Sequence, residues 1–198
     1  MYKNTSMFQA IPLNQRLRVL FMCFMTWMFV HSQIPVSNET ELRAIADDLR
    51  GHYQLTKDIV LKQAWTPLAT DEPFQGTLDG NGHVIYDMNI NDSELMDVGF
   101  FARIKNAQIY NIGFVNPVIN AVKIAEDLNA GVFAGNVMSS EISNSFVEGG
   151  SVNSYGSAGS VCGKIIKGET QTTIINVYSS ANITASQKHA GGIVATSE

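Results

Sequence analysis

The side chains of this chain that could act chemically are few and lie apart. His83, with Asp87 four residues on, has the makings of a general base. Arg103 and Lys105 bring two cations to one spot, enough to hold a uronate carboxylate. Asp47 and Asp48 are paired acids, and Asp79 with Asn81 could open a calcium loop. Each has a plainer reading. Adjacent acids on a helix point apart, so Asp47 and Asp48 belong to a solvated face. The later ligands of an EF-hand are missing after Asn81, which leaves Asp79-Gly80-Asn81-Gly82 as a turn between strand-like flanks. The acids Asp92, Glu94 and Asp97, and Glu126 with Asp127, read as solvated loops. No catalytic, cofactor-binding or metal-ligating set emerges, so none is expected.

What the chain does carry is a repeat. VGFFAR at Val98 returns as AGVFAG at Ala130, AGSVCG at Ala158 and AGGIVA at Ala190. Gly99, Gly131, Gly159 and Gly191 fall 32, 28 and 32 residues apart, a period that reads as a solenoid. Val98, Ala130, Ala158 and Ala190 form one apolar column, and Phe101, Phe133, Val161 and Ile193 another. Equivalent side chains of successive coils would stack about 4.8 Å apart at strand spacing. Cys162 aligns with Ala102, Ala134 and Val194 and reads as core filling rather than as a nucleophile. Arg103 aligns with Gly135, Gly163 and Ala195, a turn position. A second line follows, Ile109-x-Asn111, Ile142-x-Asn144 and Ile174-x-Asn176, as if each coil turned a corner at the same asparagine. Asparagine tolerates left-handed backbone, and stacked amides can pair as a ladder inside the coil.

Before the repeat, residues 1–32 hold Lys3, Arg16 and Arg18, no acid, and the apolar run Val19 to Val30. Those twelve residues are too few to span a bilayer, and Val30-His31-Ser32 supplies small residues for a signal-peptidase cut after Ser32. The alternative is an uncleaved membrane anchor. Cleavage would leave 10 basic against 18 acidic side chains, a net charge of −8, which argues against a nucleic-acid partner. It would also leave Cys162 as the single cysteine, with no internal disulfide. Ser37 to Gly51 predicts a helix: Leu42, Ile45, Ala46 and Leu49 share a face, Asn38 with Glu41 makes a capping-box pattern, and Gly51 is a stop. Its expected role is to cover the open end of the solenoid. Tyr53 to Leu61 reads as the first extended segment. The organisation expected is therefore 1–32 signal peptide, 33–52 capping segment and 53–198 β-solenoid, the last stopping inside its fourth copy as if cut short. Sequons stand at Asn38, Asn91 and Asn182.

The AG-x-x-x-G units followed by I-x-N resemble GLUG repeats, found in large secreted and surface proteins of bacteria, including the region upstream of the catalytic part of IgA-protease-like M26 metallopeptidases. ELRAIADDLRGHYQLTKDIVL and FQGTLDGNGHVI look like the start of such arrays. The resemblance runs from about Glu39 to the C-terminus and implies a right-handed parallel β-helix of the pectin-lyase-like kind. The closing glycine is missing at Arg103 and Ala195, which departs from the pattern in the first and last copies.

The expected function is a secreted or cell-surface, non-catalytic module that binds a host glycan or surface protein. Polygalacturonase-like enzymes would show N-T-D and G-H-G, and neither occurs; the one D-D pair falls on the helix. No H-E-x-x-H is present, so in the reading that makes this chain the leading module of a larger metallopeptidase the catalysis would lie downstream. A polysaccharide lyase is the remaining alternative.

Overall fold

In a computed structural model, described over residues 33–92, 94–125 and 127–198, the chain is an all-β parallel solenoid of about four turns with one short helix. The expected signal peptide, 1–32, lies outside the described residues. So does Glu126 of the second acidic loop.

Each coil from Thr77 onward contributes short strands to four parallel sheets, and the segment before it adds strands to one of them alone. One sheet, here sheet I, has nine strands, and three others, II to IV, have four each. In the second repeat the chain runs through Asn129–Ala130 in sheet III and Ala134–Met138 in sheet IV. It continues through Glu141–Glu148 in sheet I and Ser151–Ser154 in sheet II. The periodicity becomes register. In sheet III Val98, Ala130, Ala158 and Ala190 stand opposite one another in succession, and so do Leu78, Ile109, Ile142 and Ile174 in sheet I. In sheet II the inward column is Ile90, Ile119, Val152 and Ile183.

Stacking like on like fills the interior with aromatic rings. Phe74 and Phe101 stack at 4.4 Å, Phe100 meets Phe101 edge-on at 4.8 Å, and Phe114 meets Phe133 at 4.9 Å. All of these rings are buried. Aromatic pairs of such geometry stabilise by about 1 kcal/mol beyond the area they remove from water.

The repeated glycines answer to crowding, because none of them has a positive φ. A Cβ on Gly131 would lie 2.4 Å from the Cys162 Cα of the next coil, and one on Gly159 2.2 Å from the Cys162 carbonyl oxygen. The closing glycine has a second reason. A Cβ on Gly135 would lie 2.4 Å from the Val98 nitrogen and one on Gly163 2.5 Å from the Ala130 nitrogen, so sheet III lies directly over the start of sheet IV.

The corner asparagines also find a cause. Asn111, Asn144 and Asn176 have φ of 55°, 48° and 54°, the left-handed region that asparagine tolerates. Glu141–Glu148 bends there while remaining one strand. The amides do ladder, with Asn176 Nδ2 donating to Asn144 Oδ1 at 2.9 Å, but Asn144 and Asn176 are exposed. The expectation of an interior ladder is corrected: with φ positive the side chain leaves the coil, and Ile142 and Val147 fill the inside.

The helix is shorter than its sequence pattern. Glu39–Arg43 is α-helical and Ala44–Asp47 is a 3-10 turn; Asp48 is already extended. Asn38 Oδ1 accepts from the Glu41 amide, and the Glu41 carboxylate reaches back to the Ser37 amide at 2.7 Å. Leu42 and Ile45 are buried in the common core. Gly51 is not the stop; it is small because a Cβ would meet the Tyr53 hydroxyl at 2.6 Å and its ring at 2.7 Å. The first extended segment is likewise two strands, His52–Leu55 and Ile59–Val60.

Candidate functional site

A trough of about 480 Å³ runs along the corner where sheet IV passes into sheet I. One wall is a column of outward side chains, His52, Thr77, Gln108, Glu141 and Thr173, each opposite the next in register. The other wall carries Gln75, Asn106, Ser139 and Gln171. Between them the floor is small, Gly76, Ala107 and Ser140. The corner itself is made by Asn106 and Ser139, with φ of 54° and 48°. Left-handed residues turn the chain, small residues follow, and period-two alternation then returns a long polar side chain to the surface. A trough running across the coils follows from that local sequence.

Its chemistry is that of amides and hydroxyls. The side chains of Gln75, Asn106, Gln108 and Gln171 make no hydrogen bond to another described residue. Other groups are engaged: His52 Nδ1 lies 2.9 Å from Thr77 Oγ1, Glu141 accepts from the Ser143 hydroxyl at 2.8 Å, and Ser139 Oγ donates to the Thr170 carbonyl at 3.2 Å. Among the described residues no lysine or arginine lines the trough, and Glu141 is the one acid there. The sequence held a signal for this wall. The residue before each Ile of the I-x-N line, Gln108, Glu141 and Thr173, is polar in every copy.

Of the residues singled out by type, Glu94, Asp97 and Arg103 come to line one cleft of about 290 Å³, and most of the others are kept apart. His83 Nδ1 lies 3.1 Å from Asp58, not beside Asp87, which instead makes a left-handed corner at φ 58°. Asp79 is saturated by amides: its oxygens accept from the Asn81 backbone and from the side chains of Asn111 and Gln54. Asp47 and Asp48 diverge where the 3-10 turn ends. Asp92 folds back on the Glu94 and Leu95 amides. Among the described residues no three His, Cys, Asp or Glu side chains are grouped to hold a metal ion. Cys162 is buried, opposite Ala134 and Val194, and burial pushes its thiol up to about 12.

Two placements are corrected. Arg103 is no turn residue: it lies inside the strand Phe101–Lys105 and stands opposite Asn136, then Lys164, then Thr196. The first copy spends two residues between Val98 and Phe101 where the second spends three between Ala130 and Ala134, so Phe101 pairs with Ala134 and Ala102 takes the place of Gly135; the expected column Phe101, Phe133, Val161 and Ile193 is thereby corrected at its first member, which stands in line with Ala134 and Cys162 instead. Trp65 packs against that shorter turn: its ring stacks on Phe100 at 4.8 Å and its indole donates to the Phe100 carbonyl. Arg103 itself donates to the carbonyls of Thr70 and Asp71. Asp97 is not a loop acid either; it sits in a strand, takes a hydrogen bond from Asn129 at 3.1 Å, and is held above the usual carboxylate range by burial, against the opposing pull of that amide and of Arg103.

No protein-family model matches the chain, and no curated protein sequence does. Among solved structures, it is similar to a Bacteroides ovatus protein described as a "putative immunoglobulin A1 protease", at 18% identity and a TM-score of 0.45. The alignment covers 85% of this chain and 63% of that one. Among the described residues no helix is long and apolar enough to cross a membrane.

Proposed function

We propose that this chain is an exported, non-catalytic β-helix module that binds a glycan or a surface protein of a host through the trough. The observation that carries the reading is the set of four uncommitted amides in one elongated concavity whose only acid and only histidine are already engaged. A catalytic site needs a poised base beside a group to activate; this surface offers hydrogen-bonding partners alone. Residues 1–32 are taken as the export signal, on their charge and apolar run, which places the module outside the cell or on its surface. The repeats are taken as the GLUG kind and the coil as right-handed, on the resemblance of the AG-x-x-x-G and I-x-N units. The helix is taken as the cover of the first coil, a role supported by the burial of Leu42 and Ile45 in the common core.

The test presents the full chain to arrays of host glycans and host surface proteins. Saturable binding to at least one class is expected, and silence on both would end the reading. Incubation with pectin, polygalacturonate or alginate and calcium should leave each polymer intact; cleavage of any would replace the binding module with a lyase.

A further inference from the structure

We infer that the ligand of the trough is an uncharged, extended β-1,4-linked glycan lying parallel to the solenoid axis, one sugar to each coil. The inference rests on the binding role proposed above and names the chemistry of that same site.

Three observations converge. The wall from His52 to Thr173 has five rungs, set by strand pairing, so they rise by about 4.8 Å each and span about 19 Å. A diequatorially linked pyranose chain is a straight ribbon whose units advance by nearly the same distance. An α-1,4-linked glucan, joined axial to equatorial, coils away from a straight wall, and an extended peptide advances by about 3.3 Å per residue, out of step with the rungs. The second observation is the kind of group exposed. A carboxamide offers a donor and an acceptor side by side, which matches a pair of vicinal hydroxyls, each itself donor and acceptor. Gln75, Asn106, Gln108 and Gln171 present four such groups with no competing partner among the described residues. The third is charge. With no lysine or arginine among the described lining residues and Glu141 in its wall, the trough offers no Lys or Arg counter-charge to a uronate, sulfate or sialate and repels it at one rung.

The small floor gives the ribbon depth. Gly76, Ala107 and Ser140 let a ring settle between the walls, where hydrogen bonds from both sides are shielded from water. Gln75 and Gln108 make no side-chain hydrogen bond to another described residue and stand at no left-handed corner, so truncating either should cost binding without costing the fold.

The experiment titrates the full chain with cello-oligosaccharides and with chito-oligosaccharides of two to six units, by calorimetry. Affinity is expected to climb with each sugar added up to four or five and then to level off, in whichever of the two series carries the right substituent. Gln108→Ala and Gln75→Ala should each weaken binding of the hexamer about fivefold, the effect of one lost hydrogen bond, with an unchanged melting temperature. Binding that ignores chain length, or that both variants leave untouched, overturns the axial register and leaves the module a binder of another kind. Binding of heparin or polygalacturonate, or of a host protein on the arrays, with neither neutral series bound, overturns the inference while the binding role stands. If arrays and both series are all silent, inference and role fall together.

Discussion

Asn144 offers a clean test of why the coil turns where it does. It sits at φ 48° inside the strand Glu141–Glu148, its side chain is exposed, and its Oδ1 accepts one amide hydrogen bond from Asn176 at 2.9 Å. Truncation therefore opens no cavity, and two terms remain. Losing an exposed amide bond costs about 0.5 kcal/mol, the low end for a hydrogen bond in water. Placing a Cβ without a compensating polar group in the left-handed region costs about 1 kcal/mol more. Asn144→Gly loses the bond alone, because glycine occupies that region freely. Asn144→Ala loses the bond and bears the strain, about 1.5 kcal/mol in all. At roughly 2–4 °C per kcal/mol for a domain of this size, the alanine variant should melt about 3–6 °C below the parent. The glycine variant should melt about 1–2 °C below it. Thermal melts followed by circular dichroism at the β-sheet minimum read the difference. An alanine variant that melts with or above the glycine one would refute the argument that backbone conformation, and not the amide ladder, selects asparagine here.

Three further outcomes follow from the packing. Gly131→Ala sets a Cβ 2.4 Å from the Cys162 Cα, with backbone on both sides, and should destabilise by about 1–3 kcal/mol in urea titrations; a neutral result would show that the coils can part. Cys162 should react with a thiol reagent only as fast as the coil opens. Its pKa is raised, so the unfolded chain releases the proton first and binds fewer protons than the folded one. Its contribution to stability is thus full below about pH 9 and is lost as pH climbs toward about 12, a slope that Cys162→Ala should remove from the alkaline limb. Asp97, raised chiefly by burial, has its charged form penalised by folding, so Asp97→Asn should stabilise the protein at pH 7. That gain should vanish as pH falls through the carboxylate range, where Asp97 is neutral in both states, and a gain that persists in acid would assign it to something other than charge.

Sequence by itself determined the solenoid and its chain direction, because a column such as Val98, Ala130, Ala158 and Ala190 is a local pattern repeated and needs no long-range knowledge. It also marked the corners, since asparagine tolerates left-handed backbone more readily than most side chains, as Asn111, Asn144 and Asn176 do. The trough was legible only in half: polar residues before each Ile of the I-x-N line stood in view, but Gln75 and His52 lie outside the repeat and meet the wall only through the pairing of earlier coils. Tertiary structure alone decided the rest. The first copy is a residue short in the chain itself, but where that residue is lost shows only in the pairing of Phe101 with Ala134, beside Phe100, whose carbonyl accepts from the Trp65 indole thirty-five positions away; that offset is what sets Arg103 in the middle of a strand and not at a turn. The length of the helix, the partner of His83 and the burial of Asp97 were settled the same way, by what the neighbouring coil placed beside them. In a solenoid the direction of each coil is written along the chain, while the offset between coils is fixed only by contacts made across it.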